Sequence, residues 1–329
     1  MRSKHFVAQT VIAALFVVSS FSIMGCSSSE KVIAFPTKPV EFVVHSGAGG
    51  APDLYVRTVA DILNKEKLIT VPISVSNKPG GGGSVSFKYV ASKAGDPHVL
   101  LGIPSVFITQ ALINPKESPN YKEFTPIALL AIEPICIVVK ADSPYKTLAD
   151  LIEVGKTKPG GITWALTSLG SYDHIMALKI ADTTKAKIVI LPNSSDGEAV
   201  VAVLSGNADC VTLGPRGVLG QVQAGNLRIL AVSTAQRVSG VDAPTLREGG
   251  IDLATGGPRG VVAPKDLPAE AKAILLSDMK KVVETERWKK YLQDSYSVST
   301  NLFDADFTNY LKTETERVEP ILKAAGLIK

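Results

Sequence analysis

The chain contains 329 residues, of which 45% are hydrophobic and only 6% aromatic, and its formal net charge is +4. So small a charge, without a dense stripe of lysine or arginine, argues against a nucleic-acid partner. The length exceeds what one hydrophobic core usually supports, so we expect two domains or one large one, in a globular α/β protein rich in small aliphatic residues.

The N-terminus has the parts of an export signal. Arg2 and Lys4 precede an apolar run that extends from Phe6 to Met24, and Gly25 stands before Cys26. The last four of these residues (IMGC) are similar to a bacterial lipobox, which predicts that residues 1–25 are a signal peptide and that Cys26 is the lipidated first residue of the mature chain. The alternatives are a plain secretory signal and an uncleaved anchor, although polar residues interrupt the run that would have to span a bilayer.

After Cys26 the chain continues with a polar stretch, residues 27–31 (SSSEK), so residues 26–34 are predicted to be a tether between lipid and globular body. The protein is therefore expected outside the cytoplasm, anchored to the outer face of the bacterial cell membrane, or on the periplasmic side in a Gram-negative cell.

From Phe35 onward, runs rich in valine and isoleucine alternate with amphipathic stretches, which is typical of βα units and mostly parallel sheets. The first series predicts strands at 40–44, 71–76 and 98–102 and helices at 52–64 and 84–93. The second series predicts strands at 135–140, 162–165, 187–191, 209–213, 227–232 and 260–263 and helices at 148–156, 173–179 and 197–204. Apolar residues three and four apart predict that the tail is helical over 268–292 and 304–325.

Residues 126–140 lack turn signals, and we expect them to carry the chain from one sheet to the other. Two α/β lobes follow, with the C-terminal helices packed on the first. Cys136 and Cys210 each lie in a strand-like apolar run. Outside the cytoplasm they form either a disulfide or two buried free thiols, and the sequence leaves both open.

The best candidate for a site is the turn between the first predicted strand and helix, residues 45–53 (HSGAGGAPD). Its glycines permit positive φ and remove Cβ atoms that would keep a ligand from the backbone. Pro52 suits the first turn of a helix. Unpaired amides there, with the positive end of the helix dipole, bind an anion without a cationic side chain. An ordinary tight βα turn is the alternative.

Three further turns have the same form: residues 77–84 (NKPGGGGS), 103–105 (IPS) and 165–171 (ALTSLGS), the last leading into the helix that carries Asp173 and His174. Hydroxyl-rich turns are often helix caps. Because they recur in both halves, we expect a ligand held between two lobes, with an affinity that depends on lobe closure.

Catalytic and metal motifs fail on spacing. The glycines at 47–50 lack the third glycine of a dinucleotide fingerprint because Pro52 occupies its place, and Gly155-Lys-Thr157 lacks the preceding P-loop glycine. The four histidines are dispersed, and no nucleophile elbow is found. We therefore expect no enzyme activity, no metal site and no cofactor.

Several short motifs, in order and spacing, resemble the extracytoplasmic solute receptors of tripartite tricarboxylate transporters, also called Bug receptors. They are the opening 35–40 (FPTKPV) with the glycine turn and Asp53, the segment 77–83 (NKPGGGG), and the C-terminal stretches 227–232 (LRILAV), 236–237 (QR), 243–250 (APTLREGG) and 259–264 (RGVVAP). The resemblance covers essentially all of the mature chain. The sequence departs from the family pattern at His45, where proline is frequent, and at Asn193, where tyrosine is frequent.

The resemblance implies an α/β, two-lobed clamshell of the type II periplasmic-binding-protein (Venus-flytrap) class, which binds small carboxylates through main-chain N–H groups and waters. We expect lobe 1 to comprise residues 35–130 plus 266–329 and lobe 2 residues 131–265. Carried over by position, the ligand-binding residues are Ser46, Gly47, Ala48, Gly49, Gly50, Ala51, Asp53, Ser105, Thr167, Ser168, Gly170 and Ser171. Asp53 either selects a ligand amine or anchors the first turn. Arg259 either binds a second carboxylate or forms a salt bridge at the surface or hinge.

These observations predict a monomeric, lipid-anchored receptor. It would capture a di- or tricarboxylate, an aromatic acid or an acidic amino acid and deliver it to the membrane permease subunits of a tripartite transporter. A ligand-sensing subunit that docks on a signalling receptor is the alternative. An enzyme on the same scaffold is a third, although the motifs contain no nucleophile–base pair.

Overall fold

The computed structural model describes residues 35–329, and its helices and strands alternate along that part of the chain. The predicted signal peptide (1–25), tether (26–34) and lipidation residue Cys26 lie outside the described residues. None of the helices described combines the length and hydropathy needed to span a bilayer.

In chain order the elements are β1 (Val40–Val44), α1 (Ala51–Lys65), β2 (Ile73–Asn77), α2 (Ser84–Ala91), β3 (Val99–Ile103), α3 (Phe107–Ile113), β4 (Phe124–Glu133), β5 (Cys136–Lys140), α4 (Leu148–Thr157), β6 (Ile162–Leu166), α5 (Tyr172–Thr184), β7 (Ile188–Pro192), α6 (Asp196–Leu204), β8 (Cys210–Leu213), α7 (Pro215–Gln223), β9 (Leu227–Val232), β10 (Gly257–Pro264), α8 (Ala269–Glu284), α9 (Glu286–Ser295), β11 (Val298–Phe303) and α10 (Asp304–Ala324).

The first sheet has six strands in the order β11-β4-β10-β3-β1-β2. Every residue of β3 and β10 is buried. On one face α1, α8 and α9 form a core that includes Tyr55 and Trp288. On the other, α2, α3 and the first half of α10 contribute Phe87, Phe107 and Phe307. Cover on both faces explains why these strands read as continuous apolar runs rather than alternating ones.

The second sheet has five strands in the order β7-β6-β8-β5-β9. Helices α4 and α5 cover one face, where Leu151 and Met176 are fully buried. Helices α6 and α7 cover the other, with Val203 and Val218 in the core. The second sheet is therefore a second three-layer unit, and the α/β, two-lobed expectation is confirmed.

Both sheets are mixed, so the expectation of mostly parallel sheets is wrong. The pairs β1–β2, β1–β3, β6–β7 and β6–β8 are parallel. The pairs β3–β10, β4–β10, β4–β11, β5–β8 and β5–β9 are antiparallel. A helical crossover returns the chain to the same end of a sheet and makes neighbours parallel. Strands β5 and β10 enter their sheets from the passages rather than through a crossover helix, and each runs antiparallel to the strands on both of its sides.

Two segments carry the chain between the sheets. The passage expected within residues 126–140 is confirmed, because β4 ends at Glu133 in the first sheet and β5 begins at Cys136 in the second. The return passage lies earlier than expected. The strand predicted at 260–263 and assigned to lobe 2 is β10, which pairs between β3 and β4 in the first sheet. Its partners are more than a hundred residues away, so no local pattern indicates them.

Ser233 ties the two passages together at the hinge, and it is fully buried. Its Oγ accepts a hydrogen bond from Ile135 N (2.9 Å) and donates one to Thr255 O (2.8 Å). Its main chain pairs with the same two residues: Ser233 N donates to Ile135 O and Thr255 N donates to Ser233 O, both at 2.9 Å. One side chain thus fixes the relative position of both chain crossings.

Helix α10 contacts both lobes. Phe307 and Leu311 in its first half pack in the core of the first sheet. Val318 and Leu322 in its second half pack against Ile175 of α5, which belongs to the second lobe. The C-terminal helices therefore return to the first lobe as expected, and the last one continues across to the second.

Cys136 and Cys210 are both free and buried. They lie on strands β5 and β8 and pack in different cores, Cys210 with α4 and α5 and Cys136 with α6 and α7. Burial raises the pKa of Cys136 to about 12, and burial also raises that of Cys210 well above its ordinary value. Of the two alternatives that the sequence left open, the structure shows the pair of buried free thiols.

Candidate functional site

A cleft of about 580 Å³ lies between the two lobes. Its walls are loops that follow β1, β3, β6, β7 and β8, together with the residues next to the hinge passages. All of these loops leave the carboxyl ends of strands, where open α/β sheets place their ligands. The cleft is lined by His45, Ser46, Gly50, Ala51, Pro52, Ser105, Glu133, Pro134, Ile135, Thr167, Ser168, Asp173, Ser194, Ser195, Asp196, Gly197, Leu213, Gly214, Gly257 and Arg259.

Seven of the thirteen residues predicted to bind ligand lie in these walls. They are Ser46, Gly50, Ala51, Ser105, Thr167, Ser168 and Arg259. The other six lie in the same turns but outside the cleft lining: Gly47, Ala48 and Gly49 are exposed, whereas Asp53, Gly170 and Ser171 are buried. The structure thus brings both predicted turns and the end of β3 to one cleft.

The first-lobe wall is the turn that leads from β1 into α1. Gly49 has φ +87°, a left-handed conformation that favours glycine. The first helical hydrogen bond runs from Leu54 N to Gly50 O (3.0 Å). The amides of Ala51 and Asp53 therefore have no acceptor within the helix, and Pro52 has no N–H to satisfy. This end of α1 presents free donors and a positive dipole end beside the cleft.

Asp53 stabilises this turn from its buried side. Its carboxylate accepts hydrogen bonds from Gly49 N (2.9 Å), Arg57 Nε (2.8 Å) and Asn77 Nδ2 (2.8 Å), and the residue is 1% exposed. Burial acts to raise the pKa of the carboxyl, but these hydrogen bonds, with Arg57 foremost, hold it below its ordinary value. All its bonds go to the first lobe, so the geometry favours the anchoring role over the selection of a ligand amine.

The second-lobe wall begins with Thr167 and Ser168, which follow β6. Ser171 caps α5, because its Oγ accepts from His174 N (3.4 Å). Gly170 N donates to His174 Nδ1 (3.0 Å), so this histidine supports the turn, and burial lowers its pKa. Gly170 has φ +79°, and a methyl group there would lie 2.7 Å from Ile113 Cδ1 of α3. The two lobes therefore already touch at this turn.

Of the two roles considered for Arg259, the structure shows the salt bridge at the hinge, and binding of a second carboxylate stays a prediction. Arg259 is 5% exposed, forms an ion pair with Glu133 at the hinge, and lines the cleft. Its Nη1 donates to Pro258 O (3.2 Å), whereas its Nε is buried without a partner. Beside it, burial and the Arg259 charge lower the pKa of His45 to about 4, so His45 is neutral at pH 7.

Two carboxyl groups in the cleft were not predicted as site residues. Asp173 lies in the first turn of α5 and Asp196 in the first turn of α6. Burial, with a smaller effect of the nearby Asp196 charge, raises the pKa of Asp173 to about 6, and burial raises that of Asp196 as well. The turn 193–197 (NSSDG) is hydroxyl-rich like the other turns, and this similarity is the sequence feature that would have indicated it as part of the site.

Two mixed sheets joined by a hinge, with polar loops from both facing a shared cleft, define a two-lobed solute-binding protein. Residues 55–327 match the sequence model of a family described as tripartite tricarboxylate transporter family receptor. Because this match covers most of the chain, the protein belongs to that receptor family. The family is one of solute-binding receptors rather than an enzyme class.

Individual relatives agree with this assignment. A UPF0065 protein in the gbd 5' region of Cupriavidus necator is 26% identical over 100% of this chain and 99% of its own. Among solved structures, MatC of Rhodopseudomonas palustris with bound malate is 23% identical, with a TM-score of 0.75 over 88% of this chain and 100% of its own. An R. palustris protein with adipate is 23% identical, with a TM-score of 0.78 over 89% of this chain and 99% of its own. These two likenesses establish the fold.

Proposed function

We propose that this receptor captures a small organic carboxylate in the cleft and delivers it to the membrane permease subunits of a tripartite tricarboxylate-type transporter. The observation that carries the proposal is the meeting of the start of α1, the hydroxyl-bearing turn after β6 and Arg259 at one cleft. Malate and adipate, which accompany the two R. palustris structures, are carboxylates of this size. A volume of about 580 Å³ suits such ligands.

In this proposal each wall supplies a different kind of donor. The amides of Gly50 and Ala51, at the positive end of α1, hold one carboxylate together with Ser46. Thr167 and Ser168 approach from the second lobe when the hinge closes. The lobe 1 sheet and the lobe 2 sheet move as bodies about the passages that Ser233 ties. Closure then buries the ligand and presents a new outer surface to the permease.

The chain is further proposed to act outside the cytoplasm as a monomer, held to the membrane by lipid on Cys26. The cleft needs no second copy, because both of its walls come from one chain. Metabolic labelling with a fatty-acid analogue is expected to label the wild-type protein and not Cys26→Ala, while ligand binding is unaltered. Absence of label in the wild type, or label in the variant, would contradict the lipid anchor.

Ligand binding is tested by the thermal shift of the full chain with di- and tricarboxylates, aromatic acids and acidic amino acids. Binding to the native state alone stabilises it by about 2.7 kcal/mol at a ligand concentration one hundred times Kd. Ser46→Ala is the informative variant, because Ser46 Oγ has no hydrogen-bond partner in the described structure and its loss should leave the free protein intact. Ser92→Ala, an exposed site remote from the cleft, is the control. A library without any shift would refute the proposal.

A further inference from the structure

The second-lobe wall of the cleft carries negative charge without a cation to balance it. Asp173 is half-buried and Asp196 is exposed, and both line the cleft. Asp173 accepts a hydrogen bond from Ser171 Oγ (3.2 Å), and no lysine or arginine within the described residues forms an ion pair with either carboxyl. The two carboxyls lie close enough that the charge of Asp196 acts on Asp173.

Helix capping does not explain these two acids. Acidic residues are favourable in the first turn of a helix because of the dipole. The capping bonds are already made by serines, however: Ser171 Oγ accepts from His174 N and Ser195 Oγ accepts from Glu198 N (3.2 Å). Burial outweighs the benefit of the dipole, since the pKa of both carboxyls is raised rather than lowered. The fold would therefore gain from the replacement of Asp173 by a neutral residue.

The opposite wall has the complementary chemistry. Arg259 lines the cleft and is only 5% exposed, and its Nε is a buried donor without a partner. The free amides at the start of α1 lie on that side too. Arg259 and Glu133 cancel each other's charge, and His45 is neutral, so the two aspartates leave the cleft negative. A plain dicarboxylate would add two further negative charges to it.

We propose that the ligand carries a protonated amine as well as a carboxylate, with Asp173 and Asp196 holding the amine and the first-lobe donors holding the carboxylate. The ligand class is then an amino acid or another small amino-carboxylate. An ammonium group beside the two aspartates favours their charged forms, as opposite charges at contact distance do. This inference rests on the proposed carboxylate receptor function and narrows it.

The test compares matched pairs of acids that differ only in an amino group, by calorimetric titration of the full chain at pH 7.5. Suitable pairs are L-aspartate with succinate, L-glutamate with glutarate, and L-phenylalanine with 3-phenylpropionate. In the pair that fits the cleft, the amino member is expected to bind about tenfold more tightly or better. Asp173→Asn and Asp196→Asn should each reduce this preference, and together they should abolish it.

Asp182→Asn is the matched control. Asp182 lies on the same helix, α5, is exposed, and pairs with Lys179 and Lys185 outside the cleft. This variant should keep the full preference for the amino member. Equal or tighter binding of the amino-free acids, or an unchanged preference in both aspartate variants, overturns the inference while leaving a carboxylate receptor in place. Absence of binding by both members of every pair overturns the inference, and the proposed receptor function fails with it only if the wider library of carboxylates also gives no thermal shift.

Discussion

Replacement of Asp173 by asparagine should stabilise the unliganded protein at neutral pH. The ordinary pKa of this carboxyl, 3.8, rises to about 6 in the fold, chiefly because of burial. Each unit of pKa displacement corresponds to about 1.4 kcal/mol, so the ionised group costs the folded state up to roughly 3 kcal/mol. The side chain is half-buried, and solvent screening reduces this cost to about 1–2 kcal/mol.

The sign of this effect follows from the raised pKa. At about pH 4 the carboxyl is protonated in the folded state and roughly half protonated in the unfolded state, so only a small part of the cost is present and Asp173→Asn should change stability little. The cost grows as the pH rises from about 4 to about 6, and above this window it is fully present. Asp196 is the neighbouring charged group, and its repulsion of Asp173 also disappears in the variant.

Thermal unfolding of the full chain, without ligand, at pH 4 and pH 8 measures the difference. At pH 8 the midpoint should rise by about 2–3 °C, and at pH 4 the two proteins should unfold at nearly the same temperature. In Asp182→Asn the lost hydrogen bonds to Lys185 and Lys179, which lower the pKa of Asp182, give no reason for a gain at pH 8. An equal gain at both pH values, or none at pH 8, would refute the electrostatic reasoning.

Three further outcomes test the hinge, the lobe contact and the thiols. Ser233→Ala leaves the buried Ile135 N without its side-chain acceptor, and urea unfolding should show a loss of about 1–3 kcal/mol. Gly170→Ala should weaken ligand binding in calorimetry because its methyl meets Ile113, whereas Gly225→Ala, with similar positive φ but open space, should not. Cys136 and Cys210 should resist alkylation in the native protein at pH 8 and react after unfolding, as peptide mass spectrometry would show, because the thiolate is the reactive form.

Each of these predictions has a contradicting result. Unchanged stability of Ser233→Ala would mean that the two passages are held by their main-chain bonds alone. Equal binding losses in both glycine variants would assign the effect to backbone strain rather than to lobe contact. Rapid native labelling of either thiol would show that its strand opens to solvent.

The elements that could be predicted from sequence are those with local signals. The β1–α1 turn is recognised because glycines, Pro52 and a following amphipathic pattern stand together within a few residues. The passage at 126–140 is recognised because turn residues are missing there. The elements α3, β4, α7 and β11 were not predicted as a helix or strand. Helix α3 has only seven residues and no side-chain cap, and α7 contains two glycines within nine residues.

Pairing partners and opposing walls could not be predicted, because both depend on contacts far apart in sequence. The strand at 260–263 was recognised, yet its place between β3 and β4 depends on strands that precede it by more than a hundred residues. Asp173 and Asp196 each read as a first-turn acid of an ordinary helix. Only the arrangement of α5 and α6 along one cleft wall shows that their charges lie together.

For Asp173, measuring both stability and ligand binding distinguishes a functional role from a structural one better than either measurement does alone. A residue that holds the fold together would, when replaced, lower both the stability of the free protein and its affinity. A replacement that only improves local packing would leave the choice between amino and amino-free acids unchanged. If Asp173 is an electrostatic site for a ligand amine, Asp173→Asn should change the two quantities in opposite directions. The unliganded protein becomes more stable and the amino-carboxylate binds less tightly, because the negative charge that destabilises the unliganded protein also attracts the ammonium group.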